Sequence, residues 1–268
     1  MKSVVLCEGP DDLWFIAYYL YKCAGWDRCR QPKEMWRNYE IGLLNPKQQV
    51  EYLQKGNDGT AIWAVGGKDN FQRPISTLFD KFISNFPFDP IESIVIVRDR
   101  DNDTIEIALS QIQKWFPFEL KLANKQTVKY ETEIDGYEVK VLITPVVIPF
   151  FEEGAIETIL MNAIAEDGAE GKAVVEGAKE YICSLAESLN VREKYLSHER
   201  LLLKAKYAAT IAVTNPGHST GVFQNLVMSC PWETSAHVKE HFDIVLKGSG
   251  RISFAKRQRD MVCRCLVE

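Results

Sequence analysis

Apolar residues along this chain fall into two patterns, short unbroken runs and stretches of helical period, and in the first half the two alternate. Val4 to Cys7 is an unbroken run of strand length. Glu8-Gly9-Pro10-Asp11-Asp12 interrupts it and opens a helix in which Leu13, Ile16, Ala17, Leu20 and Tyr21 recur at helical spacing, with Gly25 near the stop. Thr60 to Val65 is a second run, leading through Gly66-Gly67-Lys68-Asp69-Asn70 into a helix that ends near Phe86, before Pro87-Phe88-Asp89-Pro90. Ser93 to Arg98 is a third, followed by a helix over Thr104 to Phe116. Between the first helix and the second strand the pattern is irregular, with a short strand expected at Tyr39 to Ile41, a helix over Pro46 to Gln54 and a turn at Asn57-Asp58-Gly59. Strands alternating with helices imply a parallel sheet covered by helices, with functional groups gathered at the carboxyl ends of the strands.

Further on the pattern changes. Thr127 to Ile134 and Tyr137 to Ile143 flank Asp135-Gly136, a strong hairpin signal. The second arm continues, extended and proline-punctuated, to Phe150. Helical periods follow at 155–165, 170–190 and 197–212, then a polar break from Thr214 to Gly221. Weaker helical pieces lead to a basic tail containing Lys247, Arg251, Lys256, Arg257 and Arg259. The expected organisation is an α/β domain over 1–150, with the hairpin as an extension, and a mainly helical region over 151–268 that completes a site or meets a partner.

Composition narrows the function. Of 268 residues 46% are hydrophobic, enough for a large core, and the net charge of -5 supplies no general attraction for nucleic acid. Any such partner must be held by a local patch or through metal ions. Seven cysteines without a C-x-x-C pair argue against a structural zinc site and a disulfide framework. No stretch is long and apolar enough for a membrane span or a signal-peptide core, so a cytoplasmic protein with no membrane partner is expected.

The third strand ends in Asp99, Asp101 and Asp103. While the backbone stays extended, Asp99 and Asp101 leave it on the same side, and a hard divalent cation relieves the repulsion of such crowded carboxylates. A calcium-binding EF-hand loop is excluded, because its sixth position would be Thr104 and its twelfth Ser110. No phosphate-binding G-x-x-x-x-G-K-[ST] occurs, which argues against ATP hydrolysis. The competing explanation is a polar βα loop whose aspartates favour the start of the next helix. Asp11 and Asp12 admit the same explanation, but Glu8 does not. Lys68 either reaches a phosphate or pairs with acids, unless its turn is merely an N-cap at Asp69 or Asn70. Glu8, Lys68, Asp99 and Asp101 would all arrive at one sheet edge.

Glu8-Gly9-x-x-Asp12 after a first strand, with Asp99-x-Asp101 after a later one, resembles the signature of the Toprim fold of topoisomerases, bacterial primases and OLD-type (overcoming lysogenization defect) nucleases. The resemblance covers residues 1 to about 116. It implies one or two Mg²⁺ or Mn²⁺ ions, with Glu8, Asp12, Asp99, Asp101 and Asp103 as metal ligands, and phosphodiester chemistry. The OLD-like match adds the turn at 66–70, with Lys68 binding phosphate, and a later helical acid, Glu157 or the alternative Glu153. It also adds a downstream catalytic lysine, matched loosely by Lys204 or Lys206. For both lysines the other explanation is a solvated helix face, and for Glu157 a first-turn glutamate favoured by the helix dipole.

Topoisomerase and primase activities need domains for which this length leaves no room. The resemblance therefore implies a standalone nuclease acting on DNA or RNA, a phage-defence effector regulated by a separate ATPase and able to form a homodimer. Two other classes stay open: a catalytically silent Toprim module that binds nucleic acid or a protein, and a phosphotransferase using an aspartyl nucleophile of the D-x-D motif.

Overall fold

The computed structural model describes residues 1–42, 46–217 and 223–249. It is an α/β protein built on a seven-stranded mixed sheet in the order β2-β3-β4-β1-β5-β7-β6. The strands are β1 (Lys2–Cys7), β2 (Asp27–Arg28), β3 (Gln49–Lys55), β4 (Asp58–Ala64), β5 (Ser93–Asp99), β6 (Val128–Ile134) and β7 (Tyr137–Ile148). The four inner strands, β4, β1, β5 and β7, run parallel, and their apolar runs are continuous because helices cover both faces. β6 returns antiparallel to β7 through Asp135-Gly136, both at positive φ, at the expected hairpin turn.

The helices are α1 (Pro10–Ala24), α2 (Pro32–Met35), α3 (Gln72–Thr77, running on as a wider π-type turn to Ile83), α4 (Ile105–Lys114), α5 (Ile156–Ala165), α6 (Ala169–Ala186), α7 (Leu189–Tyr195), α8 (Glu199–Thr214), α9 (Phe223–Ser229) and α10 (Ala236–Ser249). One face of the sheet, with Val4, Leu6, Ile94 and Ile96, packs against the α3 segment and α4. The other, with Val5, Cys7, Val95 and Val97, packs against α1, α5 and α10. The change near residue 150 is therefore from sheet to covering helices, and Ile16, Ile156, Phe242 and Val245 share one core with the strands. The end of α10 is tied under the sheet centre: the carbonyl of Gly248 accepts from Ser93 Oγ at 2.6 Å, and that of Ser249 from Ser3 and Thr60 hydroxyls at 3.1 Å.

Two local expectations are corrected. Residues 49–55 form a strand rather than part of a helix over Pro46 to Gln54, since an open edge of β4 offers a full ladder of backbone hydrogen bonds. The alternation is there: Val50 and Tyr52 pack toward one face, Leu53 toward the other. Its hairpin turn falls at Gly56-Asn57, with Gly56 at φ 60°. Tyr39 to Ile41 is buried but irregular. Of the basic tail, Lys247 lies on α10; Arg251, Lys256, Arg257 and Arg259 lie outside the described residues, as do 218–221 of the polar break. Among the described residues no helix is long and apolar enough to cross a membrane.

Candidate metal centre

β1 delivers Glu8 to the carboxyl edge of the sheet, where the N–H groups of Gly66 and Gly67 both donate to its carbonyl, at 3.0 and 2.9 Å. That clamp needs the left-handed backbone of the two glycines, at φ 88° and 121°. Gly9 caps α1, and the Asp12 carboxylate accepts the Gly9 N–H at 2.8 Å. The helix-start explanation of Asp12 is thus realised, yet the same carboxylate is buried beside Glu8.

Asp99 ends β5 opposite Ile148 and accepts the N–H of Ile156, in the first turn of α5, at 3.3 Å. The extended backbone stops there. Asp101 has φ 52° and exchanges two 2.7 Å backbone hydrogen bonds with Gly154, so this bridge rather than strand alternation aims its carboxylate. Gly154 itself sits at φ 131°, where a Cβ would fall 2.1 Å from Thr158 Oγ1. Glu157, on α5, is the fourth buried carboxylate beside Glu8, Asp12 and Asp99.

Cations reach this group from two directions. Lys68 Nζ lies 3.1 Å from Asp101, which gives it the acid-pairing role of the two it admits. From α8, Arg200 spans three acids: 3.4 Å to Glu8, 3.5 Å to Asp99 and 3.9 Å to Asp101. One turn later Lys204 is 3.7 Å from Glu157. Burial raises the pKa of Glu8 against the pull of Arg200, and burial followed by the charge of Glu8 pushes Asp12 up to about 8. Asp99 is raised by burial, then by Asp12 and Glu8. Arg200 is held in its charged form, because the attraction of Asp99, Glu8 and Asp101 outweighs its own desolvation. One atom is left over: Glu8 Oε1 is buried with no hydrogen-bond partner.

Three residues expected here are elsewhere. Asp103 turns away to pair at 2.6 Å with Arg98, a fully buried guanidinium on the opposite pleat of β5, which also donates to Gln111. Glu153 is exposed, and the fourth acid is Glu157. Lys206 is two residues along α8 from Lys204, about 200° around the helix, and among the described residues no ion pair joins it to the cluster. Arg200, the central cation, was absent from the expectations; its signal is the i, i+4 spacing with Lys204, which puts both charges on one helix face.

The donor set is hard. Five carboxylates, Glu8, Asp12, Asp99, Asp101 and Glu157, outnumber the three cations that touch them. Oxygen donors suit Mg²⁺ or Mn²⁺, and the neighbouring Cys7 thiol, whose pKa burial raises well above its usual value, offers no soft thiolate. A second group of donor-bearing side chains, His237, Glu240 and His241, brings its ligand atoms within 4.8 Å of one another, but two of its donors are already bonded within the protein. His241 Nε2 accepts the Phe150 N–H at 3.1 Å and its Nδ1 meets the His237 carbonyl at 2.8 Å, so both ring nitrogens are engaged.

No curated protein matches the chain. Among solved structures, the crystal structure of hypothetical protein PH0156 from Pyrococcus horikoshii OT3 is similar at 15% identity and a TM-score of 0.42, over 91% of this chain and 99% of that one. The model of the family described as "Protein of unknown function (DUF3226)" matches residues 2–248, and the chain belongs to that family.

Proposed function

We propose that this protein is a Mg²⁺- or Mn²⁺-dependent nuclease of Toprim type that hydrolyses phosphodiester bonds in DNA or RNA. The observation that carries this is the buried, unpartnered Glu8 Oε1, within a group whose carboxylates outnumber its cations. Glu8, Asp12, Asp99, Asp101 and Glu157 would hold the metal. When bound, such ions polarise a phosphate and lower the pKa of a water molecule. The chain's own part is to fix the ligands. The Gly66–Gly67 clamp holds Glu8, the Gly154 bridge holds Asp101, and the first turn of α5 holds Asp99. Lys68, paired with Asp101 but partly exposed, would turn from that acid to substrate phosphate. Regulation by a separate ATPase, a homodimeric state and a role in phage defence belong to the same proposal and rest on the Toprim resemblance.

The test is cleavage of supercoiled plasmid and of total tRNA in Mg²⁺ or Mn²⁺, with Glu8→Gln and Asp101→Asn proteins purified alongside. Cleavage lost in both variants supports the nuclease and identifies its substrate. Cleavage that persists in both overturns the site. If nothing is cleaved while Mn²⁺ binding is present and lost in the variants, the silent metal-binding module becomes the better description.

A further inference from the structure

The geometry points to Arg200 as an internal cation that neutralises the carboxylate cluster in the metal-free protein and is exchanged for the divalent ion when the site loads. This rests on the metal reading of the cluster and adds what governs its occupancy.

Three observations carry it. First, Arg200 bridges acids from two strand ends and the loop after one of them. Nη1 faces Glu8 and Asp101, and Nη2 faces Asp99. The contacts of 3.4–3.9 Å are longer than a fitted bidentate pair, which closes to about 2.8 Å. One positive group is thus shared among three carboxylates, the role a bound metal ion would fill. Second, Arg200 comes from the solvent side. Its side chain is 43% exposed, against 2% and 3% for those of Glu8 and Asp99, so it caps a buried group and has water to swing into. Third, its helix has anchors other than Arg200. Leu202 belongs to a small separate cluster with Ile182, Ala186 and Leu196, while Tyr207 and Ile211 pack into the main core. Swinging the Arg200 side chain outward therefore leaves the body of the helix, the strands and their carboxylates where they are.

Guanidinium and metal compete for the same oxygens. A cation that must leave first lowers the apparent affinity of the one that enters, by the fraction of time the site stands open. Arg200 therefore suppresses stray loading. Anything that draws it outward, an anionic substrate phosphate above all, favours loading by the same factor. A guanidinium released beside a metal suits a phosphodiester, whose two free oxygens its fork can span.

The experiment is calorimetric titration of Mn²⁺ into the full chain as wild type, Arg200→Gln, Arg200→Lys and Glu8→Gln, with melting in EDTA alongside. The expected result is that Arg200→Gln binds Mn²⁺ about tenfold more tightly than wild type, within the usual range of such couplings. Its metal-free form melts at a lower temperature, and Arg200→Lys falls between. Equal or weaker binding by Arg200→Gln, with wild type binding and Glu8→Gln not, overturns the exchange and leaves the metal centre standing. Binding by neither wild type nor Arg200→Gln removes both. Should Arg200→Gln fail to fold, hydrogen exchange on wild type decides. Amides 199–204 must exchange faster in Mn²⁺ than in EDTA, and unchanged or slower exchange overturns the proposal.

Discussion

Replacing Asp12 by asparagine should make the metal-free protein more stable. Asp12 is buried beside Glu8, and its pKa stands near 8 against 3.8 for a free aspartate. At pH 8 the unfolded chain carries this carboxylate fully ionised, whereas the folded chain must either hold that charge beside Glu8 or take up a proton in its place. A displacement of about four pKa units is worth about 5 kcal/mol at 1.4 kcal/mol per unit. Asparagine keeps the cap, since its amide oxygen still accepts the Gly9 N–H. It also buries an amide N–H₂ whose unmet hydrogen bonds return about 2 kcal/mol. The net expectation is a gain of about 3 kcal/mol, measured by urea unfolding at pH 8 in EDTA. In saturating Mn²⁺ the order should reverse, because the ion stabilises the protein that offers the full ligand set. A variant less stable than wild type in EDTA would refute the reasoning: Asp12 would then be a structural cap whose charge is already compensated.

Two further outcomes follow. Asp103→Ala should lose about 3 kcal/mol of stability in urea, because it strands the buried Arg98 charge, while its Mn²⁺ affinity by calorimetry stays within about threefold of wild type; lost binding would return Asp103 to the metal centre. His241 is held neutral by burial below its usual pKa of 6.5, against the hydrogen bond to the His237 carbonyl. Only the unfolded chain gains a proton there as pH falls through 6.5, so this residue's contribution is complete above that pH and lost below it. The stability gap between wild type and His241→Gln should therefore narrow as the pH falls from 7.5 to 5.5, and a gap that widens would contradict a neutral His241.

What the sequence discloses and what it hides separate along physical lines. The three inner strands that begin at or near Val4, Thr60 and Ser93 are legible because both their faces are buried, which demands unbroken apolar runs. Their acidic ends are legible for the same reason: Glu8 and Asp99 stand out where an apolar run stops. β3 is obscured because it is only partly buried, with just the two residues of β2 paired beyond it. Gln49, Glu51 and Gln54 suit a helix as well as a strand, and the pairing that decides between them is with residues in another part of the pattern. Asp101 and Asp103 show the limit of extending a periodicity past its element. Two-residue alternation puts Asp99, Asp101 and Asp103 on one side, but the backbone turns at Asp101, and the buried Arg98 on the other pleat takes Asp103.

Arg200 is the more instructive omission, because the physics that hides it also predicts that something like it exists. Glu8, Asp12, Asp99 and Glu157 are each at least nine-tenths buried, and burying that many ionised carboxylates without a counter-charge would cost more than a domain of this size has to spare. Some must be protonated, or a cation must come from another part of the chain. Within residues 1 to about 116, Lys68 pairs with Asp101 and Arg98 is taken by Asp103, so further counter-charge has to come from the helices that follow. Among them a residue facing a sheet edge must share a helix face with whatever else touches it. Lys204 against Glu157 marks that face on α8, and four residues back along it stands Arg200. Lys206, of equal charge and two residues away, fails this condition. Charge balance at the strand ends, combined with helical spacing in the second half, thus singles out the residue that neither half of the sequence identifies alone.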